Sequence, residues 1–231
     1  MIIIDMNQIM ISNLMVQLKK EQLNVDLARH MVLSSLFSYE KQYREEYGEV
    51  VLAYDSKHYW RKEVFPYYKQ NRKKDREKSS HNWSNIFEVL NLIRDEIREH
   101  FHFKVLEVHG AEADDVIGAL AEYSQSSKTG VLFEEAEAVI IISGDHDFQQ
   151  LQKYSNVQQF SPIKKKWVKL DGTPQEVLME HIISGDKGDG VPNILSDDDT
   201  FVTEGKRQKP IRKALLAEWK KQKPEEFVSG E

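Results

Sequence analysis

The sequence predicts an α/β fold, with a central, mostly parallel sheet and helices on both faces of the sheet. Two observations predict it. Short apolar runs, typical of buried strands, alternate along the 231-residue chain with longer stretches in which apolar residues recur every three or four positions, as in helices. Several of the strand-like runs also end in an acidic residue, as expected where a parallel sheet binds a ligand at the carboxyl ends of its strands.

The strand-like runs are short and rich in Ile and Val. Ile2-Ile3-Ile4 lies at the start, and Ala138–Ile142 is the strongest strand signal in the chain. Phe160–Gly172, in which Trp167 and Val168 stand among lysines, is predicted as a hairpin. The predicted strands are Ile2–Ile4, Val50–Tyr54, Lys104–Val108 and Ala138–Ile142.

Five stretches have helical periodicity. In Val25–Tyr47, for example, Leu27, Met31 and Leu36 recur at helical spacing, and Gly48 ends the helix. A turn rich in Gly and Asp follows the last helix, and beyond Ser196 the pattern weakens. The predicted helices are Asn7–Lys20, Val25–Tyr47, Ser84–Phe101, Ala111–Tyr123 and Pro174–Ser184, and the turn is Gly185–Asn193.

Composition excludes several classes of protein. Charged residues make up 30% and hydrophobic residues 40%, which is ordinary for a globular protein. No apolar run approaches the roughly 20 residues of a membrane span, and Met1–Asp5 does not begin a signal peptide. The absence of cysteine excludes a disulfide framework and a thiolate metal site. We therefore expect a cytoplasmic protein, or one in the cytoplasm of a host cell, with no membrane partner.

The net charge of −6 is unevenly distributed. Residues 57–78 contain nine Lys and Arg against three acids, which gives +6, and a second basic stretch runs from Lys206 to Lys223. Setting aside nine carboxylates in strand-end and turn positions leaves the rest of the chain at +3. The surface outside those carboxylates is therefore mildly basic, as a nucleic-acid-binding surface requires.

These nine carboxylates follow predicted strands, begin a predicted helix or lie in the glycine-rich turn. A single acid at a strand end is usually a cap or a turn residue, and acids at a helix start are favoured by the helix dipole. Two carboxylates two positions apart after the apolar run Ala138–Ile142 have no such explanation. The set is Asp5, Asp55, Glu112, Asp114, Asp115, Asp145, Asp147, Asp186 and Asp189.

Carboxylates gathered at one sheet edge repel one another unless cations lie between them. Magnesium is bound by oxygen ligands and bridges carboxylates to substrate phosphate. Two such ions about 4 Å apart stabilise the attacking and leaving oxygens of a phosphodiester displacement. The carboxylate set therefore predicts a two-magnesium site, in which Mn²⁺ is expected to substitute.

The stretch Tyr59–Arg72, directly after Asp55, interleaves cations with aromatic residues. Cations bind a phosphate backbone, and aromatic rings stack on unpaired bases. A solvated helix with its aromatics packed inward is the alternative interpretation. Five aromatics within ten residues favour an element that faces a nucleic-acid substrate.

These motifs resemble the flap endonuclease and 5′-nuclease family, and within it the RNase H of large tailed phages. They occur in the family's order from residue 2 to about residue 193. The matching motifs are Ile4-Asp5, Tyr54-Asp55, Phe65–Arg72, Glu112–Asp115, Ser143–Phe148 and Gly185–Asp189.

The resemblance implies a PIN-like 5′-nuclease core, a helical arch at about residues 57–85 and a helix–three-turn–helix from Val177 to about Leu195. The predicted domains are residues 1–173, the core with its arch, and residues 174–231, a C-terminal helical region. The implied activity is that of a magnesium-dependent 5′→3′ exonuclease and flap endonuclease. It would hydrolyse RNA–DNA primers, and DNA at 5′ ends or junctions, by a two-metal mechanism during replication.

The resemblance also assigns roles to individual residues. Lys69 and Arg72 would be the catalytic basic pair that steers the scissile phosphate. The nucleic-acid-binding set would be Arg61, Lys62, Tyr67, Lys69, Arg72 and Lys73. The first metal would be held by Asp5, Asp55, Glu112 and Asp114 with Asp115 close by, and the second, directly or through water, by Asp145, Asp147, Asp186 and Asp189.

The sequence departs from the family pattern after the turn. A glycine-rich continuation that helps bind potassium is replaced by Val191–Ser196 and then by Asp197-Asp198-Asp199. A potassium site and a grip on duplex DNA are therefore left open, because acids repel phosphate. The chain is also shorter than expected for the phage nucleases, which raises the question of a missing C-terminal helical portion.

The expected partners are DNA and RNA–DNA hybrids with 5′ ends, flaps or forks, bound by a monomer. A phage single-stranded-DNA-binding protein or a sliding clamp is a further candidate partner. Two other functions are kept as alternatives. One is a protein that binds branched DNA without cutting it, and the other is a PIN-like ribonuclease, against which the +6 segment counts.

Overall fold

A computed structural model describes residues 1–19, 22–125 and 136–223. It contains two compact units. The sheet unit consists of Met1–Tyr59 and Asn82–Lys169, and the second unit consists of Trp60–His81 and the residues from Leu170 onward. Among the described residues, no helix combines the length and apolar character needed to cross a membrane.

The sheet unit is built on six strands in the order β3-β2-β1-β4-β5-β6. All neighbouring strands are parallel except β5 and β6, so the predicted mostly parallel sheet is confirmed. The chain lays β2 and β3 on one side of β1 and then places β4 on the other side, which makes the β1/β4 pair the switch point of the strand order. The strands are β1 (Ile2–Asp5), β2 (Val50–Tyr54), β3 (Lys104–Glu107), β4 (Val139–Ile142), β5 (Val157–Ser161) and β6 (Lys166–Trp167).

Helices cover both faces of the sheet, as predicted. One core cluster joins Ile4 and Leu52 to residues of α1, α2 and α5, and the other joins Ile3 and Ile141 to α6 and a 3-10 helix. The two clusters alternate along the strands because successive side chains of a strand point to opposite faces. The helices of this unit are α1 (Met6–Leu18), α2 (Val25–Tyr47), α5 (Trp83–His100), α6 (Ala113–Gln125) and the 3-10 helix Asp147–Lys153.

The predicted strands and helices differ from the structure by at most two residues at either end, with one consequence for the site. The helix predicted from Ala111 begins at Ala113, so the expectation that Glu112 lies in its first turn is wrong. At this end of the helix, the Asp55 carboxylate accepts the Ala113 N–H. The end predicted for the first helix, Lys20, lies outside the described residues. The predicted hairpin is confirmed, with Phe160 opposite Trp167.

The second unit contains four helices in its described part, α3 (Arg61–Val64), α4 (Gln70–Lys78), α7 (Pro174–Ser184) and α8 (Lys213–Trp219). Helix α7 begins with a capping box in which Thr173 and Glu176 bond each other's backbone N–H. Turns and extended segments follow up to Arg212. A helix directly after the turn, which the helix–three-turn–helix would require, is therefore not observed there. The helix–three-turn–helix stays a prediction.

The acidic run after the turn is partly neutralised by neighbouring side chains. Lys206 Nζ lies 3.4 Å from Asp197 Oδ2 and 2.5 Å from Asp199 Oδ1, and the Thr203 hydroxyl donates to Asp199 over 2.7 Å. These bonds hold the pKa of the Asp199 carboxyl below its usual range, with the Lys206 bond the largest cause. Two of the three acids, Asp197 and Asp199, are thus paired with side chains of the same loop.

The grouping of Trp60–His81 with the C-terminal residues differs from the predicted domains, which placed residues 57–85 in the core. The reason is a set of bonds within the second unit. The Lys69 N–H donates to the Asp189 carbonyl over 2.7 Å, and Lys74 Nζ donates to the Val202 carbonyl over 2.6 Å. The predicted boundary after residue 173 lies close to Leu170, where the rest of this unit begins.

Candidate active site

Asp5 is the last residue of β1 and lies at the switch point of the sheet. Only 6% of the residue is exposed. Its carboxylate caps α1 by accepting the Gln8 N–H over 3.1 Å, and it accepts the Ser143 hydroxyl over 2.9 Å. Burial raises the pKa of Asp5 to about 6, the two hydrogen bonds oppose the rise, and the charges of Asp55 and Asp145 add to it.

The carboxylates of Asp145 and Asp147 follow β4, the neighbour of β1. The Asp145 N–H donates to the Ser143 hydroxyl oxygen over 3.1 Å, and Asp145 Oδ1 accepts the Asp147 N–H over 3.1 Å. Both acids are half-buried, whereas His146 between them is exposed. His146 therefore differs in burial from the two acids that flank it.

Asp55 follows β2, which lies on the opposite side of β1 from β4, and its carboxylate binds the start of α6. Its Oδ1 accepts the Ala113 N–H over 2.7 Å. The adjoining Glu112 is buried, and its N–H donates to Asp115 Oδ2 over 2.9 Å. Asp114 and Asp115 are half-buried in the first turn of α6. The sheet unit therefore places seven of the nine predicted carboxylates on strand ends and a helix start at one edge of the sheet.

Three polar residues that sequence analysis did not single out hold this edge in place. Ser143 bonds both Asp5 and Asp145. The Gln159 amide, which is almost fully buried, donates to the carbonyls of Ser143 and Asp145 over 2.9 and 2.6 Å. Gln8 Oε1 accepts the Gly144 N–H over 2.7 Å. A polar residue at a buried position of a strand, such as Gln159 in β5, is the sequence signal that indicates a supporting residue of this kind.

This donor set fits divalent metal ions. The seven acids at this edge offer carboxylate oxygens, which suit hard divalent cations such as Mg²⁺ and Mn²⁺. Burial is the largest cause of the raised pKa of Asp5, and the neighbouring charges of Asp55 and Asp145 add to the rise. A bound divalent cation would offset the repulsion between these charges, as it does where carboxylates share an ion.

Gly144 lies where β5 and α1 closely approach the Ser143–Asp147 loop. A Cβ at this position would lie 3.0 Å from Ser161 Oγ and 3.4 Å from Gln8 Oε1. We expect Gly144→Ala to lower the free energy of unfolding by about 1–3 kcal/mol, as overpacked sites do, in urea-unfolding measurements. Gly118→Ala is the matched control, because a Cβ there meets open space within α6 and should stabilise the protein. Equal stability of Gly144→Ala and wild type would contradict the packing described.

In the second unit, the Asp189 carboxylate is surrounded by donors from residues just before α4 and from α4 itself. Tyr68, which is buried, donates its hydroxyl to Asp189 Oδ2 over 2.6 Å. Lys69 Nζ lies 3.6 Å from the same oxygen, and the Arg72 guanidinium bonds Asp189 Oδ1. Two residues predicted to steer phosphate are thus paired, in this structure, with a predicted metal ligand.

The remaining predicted residues of the second unit are placed as follows. Asp186 Oδ1 accepts the Asp189 N–H over 3.0 Å, and its Oδ2 lies 3.6 Å from His181 Nε2. The Arg61 guanidinium lies over the Trp60 ring at 4.8 Å, and the Tyr67 ring meets the Phe65 ring edge-on at 5.7 Å. Lys62 and Lys73 are exposed.

Comparisons with known proteins agree with these motifs. Residues 1–182 match the family described as the 5′-3′ exonuclease N-terminal, resolvase-like domain. Ribonuclease H of Enterobacteria phage T4 is 35% identical over 221 residues, which cover 93% of this chain and 70% of that protein. A 5′-3′ exonuclease of Buchnera aphidicola is 28% identical over 153 residues, or 63% of this chain and 48% of that protein.

Two solved structures share the fold. One is the 5′-exonuclease of phage T5 with bound zinc, at a TM-score of 0.62 and 19% identity, covering 84% of this chain and 69% of that one. The other is the phage T5 flap endonuclease in a pseudo-enzyme–product complex with DNA and metal ions, at a TM-score of 0.64 and 18% identity, covering 99% and 85%. The resemblance inferred from the motifs is confirmed, and the chain belongs to the family of the 5′-3′ exonuclease N-terminal, resolvase-like domain.

Proposed function

We propose that this chain is a magnesium-dependent 5′→3′ exonuclease and flap endonuclease that hydrolyses phosphodiesters of RNA–DNA primers and of DNA at 5′ ends or junctions. The observation that carries the proposal is the placement of Asp5 between Asp55 and Asp145 at the switch point of the sheet. Ligands of open α/β sheets bind at that point. Family membership supports the same activity.

Within this proposal, the carboxylates hold two magnesium ions. Asp5, Asp55, Glu112 and Asp114 serve the first ion with Asp115 close by, and Asp145, Asp147, Asp186 and Asp189 serve the second directly or through water. When bound, such ions stabilise the attacking and leaving oxygens of a phosphodiester displacement. The part played by the chain is to hold the oxygens in place, through the Ser143 bond to Asp5 and the Ala113 bond to Asp55.

Lys69 and Arg72 are proposed to steer the scissile phosphate. An arginine guanidinium can bind phosphate through two parallel hydrogen bonds, and both side chains already bind an anionic group, the Asp189 carboxylate. Arg61, Lys62, Tyr67 and Lys73 would contact the nucleic acid around them. The +6 charge of residues 57–78 supports this role, because it attracts a phosphate backbone.

The names of similar proteins support the substrate class. The T4 relative is named a ribonuclease H, and the T5 structure is that of a flap endonuclease with DNA and metal ions. We accordingly propose RNA–DNA hybrids and DNA with 5′ ends, flaps or forks as substrates. The proposed setting is the cytoplasm, or the cytoplasm of the host cell for a phage-encoded protein, where a monomer acts with a phage single-stranded-DNA-binding protein or a sliding clamp.

The proposal is tested by incubating the protein with a 5′-labelled DNA flap and a 5′-labelled RNA–DNA hybrid, with Mg²⁺, Mn²⁺ or a chelator. We expect short 5′ products with either metal and none with the chelator. Tight, structure-selective binding without metal-dependent products would instead indicate a non-cleaving branched-DNA-binding protein. Cleavage restricted to single-stranded RNA without a free 5′ end would indicate a PIN-like ribonuclease.

Alanine at Lys69 or Arg72 should slow cleavage. Each substitution removes a charge-assisted hydrogen bond to the phosphate, which is worth about 1.5–3 kcal/mol, or roughly 10- to 100-fold in rate. The measurement is the single-turnover rate on the flap substrate. Lys41→Ala, which changes an exposed lysine of α2, is the control and should cleave at the wild-type rate. Wild-type rates in both arch variants would exclude the steering role.

A further inference from the structure

Residues 69–72, at the start of α4, form a row of hydrogen bonds with the backbone of the acidic turn Gly185–Val191. Three consecutive carbonyl oxygens of the turn each accept a hydrogen bond from this segment, and all of the residues belong to the second unit. The pairs are Asn71 Nδ2 with the Lys187 carbonyl (2.7 Å), Arg72 Nε with the Gly188 carbonyl (2.9 Å) and the Lys69 N–H with the Asp189 carbonyl (2.7 Å).

The fit between the two segments is close. Gly190 has a φ of +76°, and a Cβ there would lie 3.0 Å from Asn71 Oδ1 and 3.3 Å from the Tyr67 carbonyl oxygen. Lys69 has a φ of +57°, in the left-handed region that residues other than glycine adopt only at a cost in free energy. The contacts with the turn must therefore compensate for the unfavourable conformation of Lys69.

Asn71 differs from its neighbours in this row. Lys69 and Arg72 also direct their charged groups to the Asp189 carboxylate, whereas the Asn71 side chain binds only the backbone of the turn among the described contacts. Its Oδ1 is buried and has no hydrogen-bond partner among the described residues. A buried amide oxygen without a partner is unfavourable, and the bond from Nδ2 to the Lys187 carbonyl offsets part of this cost.

We infer that Asn71 is a positioning residue, which holds the acidic turn against the start of α4 and so keeps Lys69 and Arg72 in register with Asp186 and Asp189. The inference rests on the proposed function for its catalytic consequence, but the structural link stands on the contacts alone. Without the Asn71 amide, the Lys187 carbonyl loses its side-chain donor and the turn can shift away from α4. A shift of about 1 Å in groups that act on a substrate can cost roughly 100-fold in rate.

The first experiment measures hydrogen exchange of the full chain without metal or substrate. Asn71→Ala and Asn71→Leu both remove the donor, and leucine keeps a similar volume. We expect amide exchange in residues 185–191 to become about tenfold faster in both variants, since one hydrogen bond of the turn is lost. Gln70→Ala is the matched control, because the Gln70 amide donates over 2.6 Å to the carbonyl of Pro66, within the same segment rather than on the turn. It should leave exchange of the turn unchanged.

The second experiment measures flap cleavage by the same variants. We expect kcat to fall roughly 10- to 100-fold for both Asn71 variants while KM for the flap stays within about threefold, because bound substrate meets displaced Lys69 and Arg72. A loss of fold would instead lower the amount of active enzyme, which titration of active sites corrects for. Gln70→Ala should retain the wild-type kcat.

The possible results separate the inference from the proposed function. Unchanged exchange in the turn, or equal acceleration by Gln70→Ala, overturns the link between Asn71 and the turn. Faster exchange with an unchanged kcat overturns the positioning role. If the wild-type protein cuts no substrate, the proposed function and the catalytic role of Asn71 both fail, while the exchange comparison still decides whether Asn71 holds the turn.

Discussion

Asp145→Asn should reduce metal-dependent cleavage by about 10³-fold while leaving the fold intact. The substitution removes one ionised oxygen from the carboxylate edge, and metal stabilisation of a developing charge is worth several kcal/mol, each 1.36 kcal/mol being tenfold in rate. The fold should persist because asparagine retains the Oδ1 atom that accepts the Asp147 N–H. The measurement is the single-turnover rate on a 5′-labelled flap with saturating Mg²⁺.

His146→Asn is the matched control for this variant. His146 lies in the same loop between the two acids, but it is exposed, and its ring lies 3.4 Å from the Gln149 amide. It should cleave at the wild-type rate. Two results would contradict this prediction. One is an Asp145→Asn protein that cleaves like wild type, and the other is a His146→Asn protein that is equally impaired. Either would show that cleavage does not depend specifically on the Asp145 carboxylate.

In metal-free protein, Asp5→Asn should raise the free energy of unfolding at pH 7.5 by about 3 kcal/mol. The pKa of Asp5 is about 6 in the folded state against an ordinary value of 3.8, so the folded state binds the proton more tightly than the unfolded chain. The stability gained from protonation is complete below about pH 3.8 and is lost as the pH rises through 6. Asparagine resembles the protonated form and does not undergo this loss.

Urea unfolding of both proteins at pH 4.5, 6.0 and 7.5 in a chelator measures this effect. The difference between the variant and the wild type isolates Asp5 from the other titrating groups, and it should grow with pH. Added Mg²⁺ should stabilise wild type at pH 7.5 more than it stabilises Asp5→Asn, because an ion that binds only the folded state raises stability by mass action. A difference that does not vary with pH would contradict the pKa assigned to Asp5.

The sequence predicted those parts of the site that depend on local pattern. Ile2–Ile4 and Ala138–Ile142 were recognisable as strands because they are wholly apolar and, apart from Ala138, β-branched, and the acids Asp5 and Asp145 follow them within three residues. The 3-10 helix Asp147–Lys153 was not predicted, because it is too short for periodicity to reveal. Helix α8 was missed for a similar reason, since it has seven residues within a basic stretch.

Hydrogen bonds between residues that lie far apart in the chain could not be predicted from one sequence. Tyr68 and Asp189 share a hydrogen bond although they lie 121 positions apart. Gln159 precedes the predicted hairpin Phe160–Gly172, so its position in a strand was not expected, and its role depends on the Ser143–Asp145 backbone of the neighbouring strand end. Such contacts follow from strand order and register, which a pattern of apolar residues does not specify.

The strand order has a consequence for biosynthesis. β1 precedes the other strands of the sheet in the chain and is translated before them, yet it lies inside the sheet, where Ile2 pairs with Val50 on one side and Ile140 on the other. Until β4 has been translated, one hydrogen-bonding edge of Ile2-Ile3-Ile4 lacks its native neighbour. Long-range pairing of this kind makes folding slow and leaves an apolar edge available for aggregation. We therefore expect the yield of native protein to depend on translation rate and on chaperones that shield the nascent chain.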